Sequence, residues 1–174
     1  MKIEINLKII FVLILFFLLK NINTYIIFII FILIHELAHM MVGIMIGGKP
    51  KRLTLNPFGL SLEFYSYGND KFLPKLIFYL IGPAINLMIA FVFLKLPNFN
   101  FYKKEIIYTN IAICVFNLIP ILPLDGGKAL KEILKKIVGF EKANNFLIIF
   151  SKFILVTISF IYLLSIYDGV PPPM

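Results

Sequence analysis

The sequence predicts an all-α polytopic membrane protein with about five transmembrane helices and a short interfacial β-hairpin between the second and third. Of its 174 residues, 60% are hydrophobic and 15% are charged, whereas a soluble domain has about half apolar and a quarter charged residues. The apolar residues gather in long blocks with lysines in the segments between them. We find no internal repeat, and predict a single membrane-embedded domain over residues 1–174.

Five apolar blocks are candidate spans, since a transmembrane helix needs about 20 apolar residues. The first, residues 9–19, is short and spans only if Lys8 and Lys20 extend to the two interfaces. No small-residue cleavage site follows it, so we predict a retained helix and not a signal peptide. The other predicted spans are residues 24–46, 73–94, 106–124 and 146–167.

Basic residues predict the orientation. The chain carries 17 Lys and Arg against nine Asp and Glu. With a cytoplasmic N-terminus, twelve of the 17 lie on the inner side and four on the outer side, and Lys152 lies within the fifth span. The positive-inside rule favours this arrangement. We therefore expect a multi-pass protein with a cytoplasmic N-terminus whose cations orient it in the lipid bilayer and do not bind nucleic acid. The high content of Ile, Lys, Asn and Phe favours a prokaryotic cell membrane.

Two connecting segments have patterns of their own. Residues 53–64 alternate apolar and polar side chains around a Pro-Phe-Gly break, which predicts a hairpin. Since unpaired strand edges are not tolerated against lipid, the hairpin must lie at the interface or line a protected cavity. Residues 129–138 form an apolar helical stripe with lysines mostly outside it, which favours a helix lying on an anionic inner leaflet.

Residues 35–39, His-Glu-Leu-Ala-His, contain both histidines of the chain. Four residues apart on a helix, His35 and His39 share one face and can bind one zinc ion, while Glu36 can take a proton from water activated there. A carboxylate at membrane depth costs at least about 2.5–3.5 kcal/mol, which a metal would offset. The alternative is a His/Glu cluster that only ties helices together, and it does not require this spacing.

A third zinc ligand must be a carboxylate, because no other histidine exists and Cys114 lies among apolar residues where we expect inert packing. Asp125 alone among the acidic residues sits at the cytoplasmic end of a predicted span, beside Pro120 and Pro123. The alternative role for Asp125 is a helix cap or turn residue in Leu-Asp-Gly-Gly. We favour the ligand.

Three motifs resemble the site-2 protease family of intramembrane zinc metalloproteases. They are His-Glu-Leu-Ala-His at 35–39, Gly-Pro-Ala-Ile-Asn at 82–86, and Asn-Leu-Ile-Pro-Ile-Leu-Pro-Leu-Asp-Gly-Gly at 117–127. The Asn-Pro-Phe-Gly hairpin at 56–59 and the small size look closest to the stage IV sporulation protein FB branch. The resemblance covers roughly residues 24–127, which we take as the peptidase core. We expect no CBS and no PDZ domain in residues 1–174.

The resemblance implies one Zn²⁺ per chain held by His35, His39 and Asp125, with Glu36 as the general acid and base. It implies membrane-associated or transmembrane protein substrates, as in regulated intramembrane proteolysis, a pro-sigma factor of sporulation among them, and regulatory membrane proteins as partners. The interface hairpin would admit an extended substrate by strand pairing. Asn117 is our candidate for binding the substrate backbone or the oxyanion, with a helix–helix hydrogen bond as an equal alternative. For Asn86 we favour a structural role.

Two other functions compete with the peptidase. A catalytically silent membrane scaffold of the same fold would be expected to lack one of His35, Glu36, His39 and Asp125, and all four are present. A small transporter or metal carrier would need a repeat architecture or further polar residues along a path, and we find neither.

Overall fold

The computed structural model describes residues 2–5, 22–56, 59–66, 71–97 and 102–167. Its elements, in chain order, are β1 (Lys2–Ile5), α1 (Ile22–Met45), β2 (Lys49–Asn56), β3 (Gly59–Ser66), α2 (Phe72–Lys95), α3 (Lys103–Leu118), α4 (Asp125–Val138) and α5 (Phe140–Tyr167). The predicted helical membrane fold with a hairpin is confirmed. The chain divides into two compact units, Met1–Leu118 and Ile119–Met174.

Three of the described helices are long and apolar enough to cross a membrane: Ile22–Met45, Phe72–Lys95 and Phe140–Leu164. They correspond to the second, third and fifth predicted spans. The first predicted span, residues 9–19, lies outside the described residues. The protein is therefore an integral membrane protein by helix length and composition.

The fourth predicted span, residues 106–124, is helical over only part of its length. Helix α3 has 16 residues and ends at Leu118, which at about 1.5 Å per residue is shorter than a hydrocarbon core of about 30 Å. Pro120 lies two residues beyond its end, and the residue before a proline is disfavoured in the α conformation. Residues 119–124 consequently form a turn segment that leads into α4.

The sheet of the first unit has three strands in the order β1-β2-β3. Strands β2 and β3 form the predicted antiparallel hairpin, with Leu53 opposite Leu62 and Thr54 opposite Ser61. Strand β1 adds to β2 in parallel, with Lys2 opposite Arg52. We did not predict β1, although its Lys-Ile-Glu-Ile sequence alternates with the period of a strand. The hairpin is longer at both ends than predicted.

The core of the first unit combines apolar and polar side chains. Helix α1 packs against α2, α3 packs against both, and the hairpin packs on α1. Buried apolar residues there include Tyr25, Ile32, Phe78, Ala90, Ile106, Ile113 and Cys114, as expected for Cys114 as a packing residue. Four polar residues, His35, His39, Asn86 and Asn110, are equally buried. A polar cluster inside an apolar bundle needs internal hydrogen-bond partners.

In the second unit, α4 and α5 pack together and Gly139 joins them with a positive φ of 85°. Ala143, Leu147 and Ser151 recur every four residues on the buried face of α5. The Ser151 hydroxyl accepts a hydrogen bond from the Leu122 N–H at 2.9 Å and so ties the turn before α4 to α5. The predicted amphipathic helix at 129–138 is part of α4.

Candidate metal centre

Helix α1 places the two histidines side by side. Its apolar residues form an uninterrupted helix through the cluster, so His35 and His39 fall one turn apart on its buried face, 2% and 4% exposed. Their Nε2 atoms lie 3.2 Å apart, and the ring planes are inclined at 71°. The structure thus brings together the first two predicted ligands with both Nε2 atoms at one point.

A hydrogen bond determines which nitrogen of the neutral His39 ring carries the hydrogen. Its Nδ1 lies 2.6 Å from the backbone carbonyl oxygen of Phe78. Because a carbonyl oxygen only accepts, Nδ1 carries the hydrogen, and Nε2 of the neutral ring carries the lone pair. This is the form in which an imidazole binds a metal through Nε2.

His35 has a side-chain partner in the same role. Its Nδ1 lies 2.6 Å from Oδ1 of Asn86, which is completely buried in α2. Donation from Nδ1 to Oδ1 leaves the lone pair of His35 on Nε2 as well. Asn86, which we predicted to be structural, therefore contacts a predicted ligand directly.

Gly82 allows α2 to approach the two histidines. A Cβ atom built on Gly82 would overlap Nε2 of His39 and lie 2.5 Å from Nε2 of His35. Any side chain at Gly82 would therefore occupy the space at the two nitrogens. The adjacent Pro83 is fully buried inside the same helix.

These nitrogens fit a zinc ion. Two ligands of a tetrahedral zinc at Zn–N distances of about 2.0–2.1 Å are about 3.3 Å apart, close to the 3.2 Å between the two Nε2 atoms. Two lone pairs directed to one point repel each other, and a shared cation turns that repulsion into attraction. Neutral imidazole is also a preferred zinc ligand.

Glu36, the predicted general base, follows His35 on α1 and is half-buried. Its position one residue along the helix turns it about 100° from His35, so it flanks the buried face that carries the ligands. A carboxylate at the border of a metal site can reach a water there without itself being a ligand.

Asp125, the predicted third ligand, belongs to the second unit, where it is the first residue of α4 and 7% exposed. The N-cap position is held by Leu124, and both roles considered for Asp125, metal ligand and helix-end or turn residue, stay predictions. Its Oδ1 accepts from the Lys128 ammonium at 3.2 Å. Gly127 lets this turn of helix lie against the backbone of Ile121, where a Cβ would overlap the carbonyl group.

Asn117, the predicted substrate-binding residue, lies near the end of α3. Its side-chain Nδ2 donates to the Ile113 carbonyl of its own helix at 3.0 Å. One N–H of the amide is thus used within the helix, and the second is the donor that oxyanion binding would need. Both roles we considered for Asn117 stay predictions.

Sequence reasoning missed Asn110. It is fully buried in α3 and hydrogen-bonded to Asn86 at 2.8 Å. An asparagine within an apolar block was the available signal, because amides inside membranes need partners on other helices. The partner itself was not predictable, since it depends on how α2 and α3 pack.

Comparison with known proteins confirms the resemblance to site-2 proteases. Residues 99–161 match Peptidase family M50. A stage IV sporulation protein FB of Bacillus subtilis is 31% identical over 65% of this chain and 41% of its own length. A zinc metalloprotease of Methanocaldococcus jannaschii is 32% identical over 65% of this chain and 34% of its own length. The chain thus spans less than half the length of these relatives.

The fold is shared with a solved structure. The site-2 protease from Methanocaldococcus jannaschii superimposes with a TM-score of 0.73 at 24% identity, over 97% of this chain and 83% of that one. The matched family is a peptidase family, and the Methanocaldococcus jannaschii relative is named a zinc metalloprotease.

Proposed function

We propose that this protein is an intramembrane zinc metalloendopeptidase that cleaves membrane-associated or transmembrane proteins. One observation carries the proposal: two buried histidines, one turn apart in a helix long and apolar enough to span a membrane, place their Nε2 atoms 3.2 Å apart. A hydrogen-bonded cluster of purely structural histidines has no need for both lone pairs to converge. The resemblance to site-2 proteases supports the same function.

We propose that His35, His39 and Asp125 hold one Zn²⁺ per chain, leaving the fourth position to water or substrate. When bound, the zinc supplies a Lewis acid that makes water nucleophilic near neutral pH and polarises a peptide carbonyl. Asp125 is suited to the task because it is buried and its charge is balanced by Lys128. A buried carboxylate without such compensation would be costly.

Glu36 moves the proton in the proposed reaction. Its carboxylate takes a proton from the attacking water and then gives it to the leaving amine, as a general base and then a general acid. Asn117 is proposed to hold the substrate backbone or the oxyanion through its second amide N–H. His35 and His39 are both buried on α1, so bulk water is kept from their rings.

The substrate must present an extended segment to this site. Peptide bonds in an intact helix are shielded by their own hydrogen bonds, so a membrane helix has to unwind locally before attack. Within the described sheet, β3 has a neighbour only on its β2 side, and its other edge offers backbone groups for strand addition. We propose that unwound substrate pairs there.

Orientation and biological role extend the proposal. We propose a cytoplasmic N-terminus from the distribution of lysines. The name of the Bacillus subtilis relative supports sporulation as one setting. For that setting we propose a pro-sigma factor as one substrate and regulatory membrane proteins as partners.

The test compares wild type with Glu36→Gln for zinc content and for cleavage of a model membrane substrate in detergent or nanodiscs. We expect the variant to keep one zinc per chain and to lose at least about 100-fold in cleavage rate. Wild-type protein without zinc would overturn the proposal. Equal wild-type and Glu36→Gln cleavage would remove Glu36 from the reaction, and zinc without any cleavage would favour the silent scaffold.

Asp125→Asn separates the ligand from a helix-end role. Asparagine keeps the size and shape of the aspartate side chain and gives up a charge worth about 0.3–1 kcal/mol in the first turn of a helix, but it is a weaker zinc ligand. We expect a helical, folded protein with markedly weaker zinc binding. Unchanged zinc affinity would remove Asp125 from the ligand set.

A further inference from the structure

A chain of three hydrogen bonds runs from His35 away from the metal centre into the protein. His35 Nδ1 lies 2.6 Å from Asn86 Oδ1, Asn86 Nδ2 donates to Asn110 Oδ1 at 2.8 Å, and Asn110 Nδ2 donates to the Ile106 carbonyl at 2.8 Å. The members lie on three helices, α1, α2 and α3. Asn86 and Asn110 are both 0% exposed.

The direction of this chain is set at its far end. The Ile106 carbonyl only accepts, so Asn110 must turn its NH₂ group toward it and its oxygen toward Asn86. Asn86 must then meet that oxygen with its own NH₂ group, which leaves Oδ1 facing His35. An oxygen can only accept, so Nδ1 of His35 must be the donor, and its lone pair falls on Nε2.

We propose that Asn110 is a positioning residue of the metal centre, which holds His35 in its metal-binding tautomer and orientation through Asn86. It does not touch the ligand atom. His39 is oriented directly by the backbone carbonyl of Phe78, whereas His35 depends on the side-chain amides of Asn86 and Asn110. The inference rests on the proposed zinc site for its functional meaning, but the tautomer is a property of the metal-free protein.

The alternative is that the two amides only tie α2 to α3. That role needs the Asn86–Asn110 bond but is indifferent to which nitrogen of His35 carries the hydrogen. Zinc affinity and the His35 tautomer therefore distinguish the two roles, whereas thermal stability does not.

The test uses Asn110→Leu, whose side chain has the same number and branching of heavy atoms and can neither donate nor accept. Cys114→Ala is the matched control, because it removes a buried side chain from the next turn of α3. Partners that orient a metal-binding histidine typically change affinity by about 10–100-fold. We expect zinc binding about tenfold weaker in Asn110→Leu and nearly unchanged in Cys114→Ala.

A double variant tests that the residues act in series. Asn86→Ala removes the direct partner of His35, so adding Asn110→Leu to it should weaken zinc binding no further. Fully additive losses would overturn the proposal, as would an affinity in Asn110→Leu equal to that of the control.

The second readout is the ¹⁵N NMR spectrum of the histidines in metal-free protein at a pH where both rings are neutral. We expect the Nδ1–H form of His35 in wild type and in Cys114→Ala, and a mixture of tautomers in Asn110→Leu. An unchanged tautomer in Asn110→Leu would refute the proposal. The tautomer can be measured even in a protein that binds no zinc. Failure of the proposed zinc site and failure of the hydrogen-bond chain from Asn110 to His35 are therefore distinguishable.

Discussion

At the scale of single residues, the two histidines are oriented by partners of different kinds. His39 uses the main-chain carbonyl of Phe78, which no substitution at that position removes, whereas His35 depends on side chains. The Phe78 ring lies 5.3 Å from the His39 ring and 5.7 Å from Phe64. Its ring therefore contributes packing, and its carbonyl contributes orientation.

Phe78→Leu separates these contributions. The carbonyl remains while part of the buried ring volume is lost, so we expect a loss of about 1 kcal/mol in the free energy of unfolding. Zinc affinity should change less than about threefold, well below the effect of an orienting partner. Thermal unfolding in micelles and zinc titration measure the two quantities. A tenfold loss of affinity would assign the ring itself to the site.

Gly82→Ala is predicted to block the space at the two histidine Nε2 atoms where a metal would bind. Alanine favours a helix over glycine by up to about 1 kcal/mol, but its methyl group would overlap Nε2 of both histidines. We expect folded, helical protein with zinc binding weakened by about tenfold or more. Leu87→Ala, at an exposed position of the same helix, is the control and should bind zinc normally. Normal zinc binding by Gly82→Ala would contradict the close approach of α2.

The residues of the site were predictable to the extent that their chemistry is local. The His-x-x-x-His spacing lies within one helical turn, so the sequence alone indicates two ligands on one face. The bond from His35 to Asn86 joins residues 51 apart in the chain. It exists because of how α1 and α2 pack, which the spacing of residues in either helix does not specify.

At the scale of elements, the hairpin packs on α1 through the Phe64 ring, which lies against Gly43. A Cβ on Gly43 would overlap the Phe64 ring, and one on Gly48 would lie 3.0 Å from it. Phe64 in turn meets Phe78 edge to face. The alternating pattern predicted the hairpin. Its packing on α1 could not be predicted, because it depends on the space at Gly43 that the Phe64 ring occupies.

Gly43→Ala is therefore predicted to loosen the hairpin. Overpacking of this kind costs about 1–3 kcal/mol, and a smaller ring partner should relieve it. We expect the double variant Gly43→Ala with Phe64→Leu to be more stable than the sum of the two single effects predicts. Thermal unfolding of the wild type, the two single variants and the double variant gives the coupling free energy between the two positions. Additive effects would indicate that the two positions do not meet.

Helix α4 presents an apolar side that the described contacts leave exposed. Ile137 is 72% exposed and Val138 44%, while Lys131 and Lys135 lie over the Phe140 ring at 4.9 and 5.9 Å. Exposed isoleucine next to lysine is typical of a helix at an anionic membrane surface. This placement stays a prediction.

Spin labels test it in nanodiscs. We expect a label at Ile137→Cys to be more accessible to oxygen than to a water-soluble nickel chelate, and a label at Lys136→Cys to show the reverse. Adding the anionic lipid phosphatidylglycerol should increase the difference in accessibility between the two labels. Cys114 is buried and should remain unlabelled. Equal exposure of the two labels to water would place α4 away from the bilayer.

At the scale of the whole molecule, composition predicts the environment better than the detailed arrangement. Apolar side chains remain exposed along α5, among them Ile149 at 68% and Phe153 at 67%, as a bilayer requires and water does not permit. The number and ends of helices were less predictable. Prolines shorten the fourth block, and a strand at Lys2–Ile5 extends the sheet through pairing with residues about 50 positions away.

Orientation is testable with two cysteines in a Cys114→Ala background. Lys49 and Lys104 are both exposed and fall on opposite sides of the membrane in the predicted orientation. An impermeant maleimide should label Lys104→Cys in right-side-out vesicles and Lys49→Cys only in inverted ones. The opposite pattern would reverse the orientation, and labelling of both from one side would contradict the predicted order of spans.

The bond between Asn86 and Asn110 also has a consequence for biogenesis. Each amide is expensive in hydrocarbon on its own, and the hydrogen bond between the two forms only when α2 and α3 are paired. A short connection separates the two helices, so the second emerges from the ribosome soon after the first. We expect α2 to wait beside the insertion machinery and to pass into lipid together with α3 as a helical hairpin, its amides already bonded.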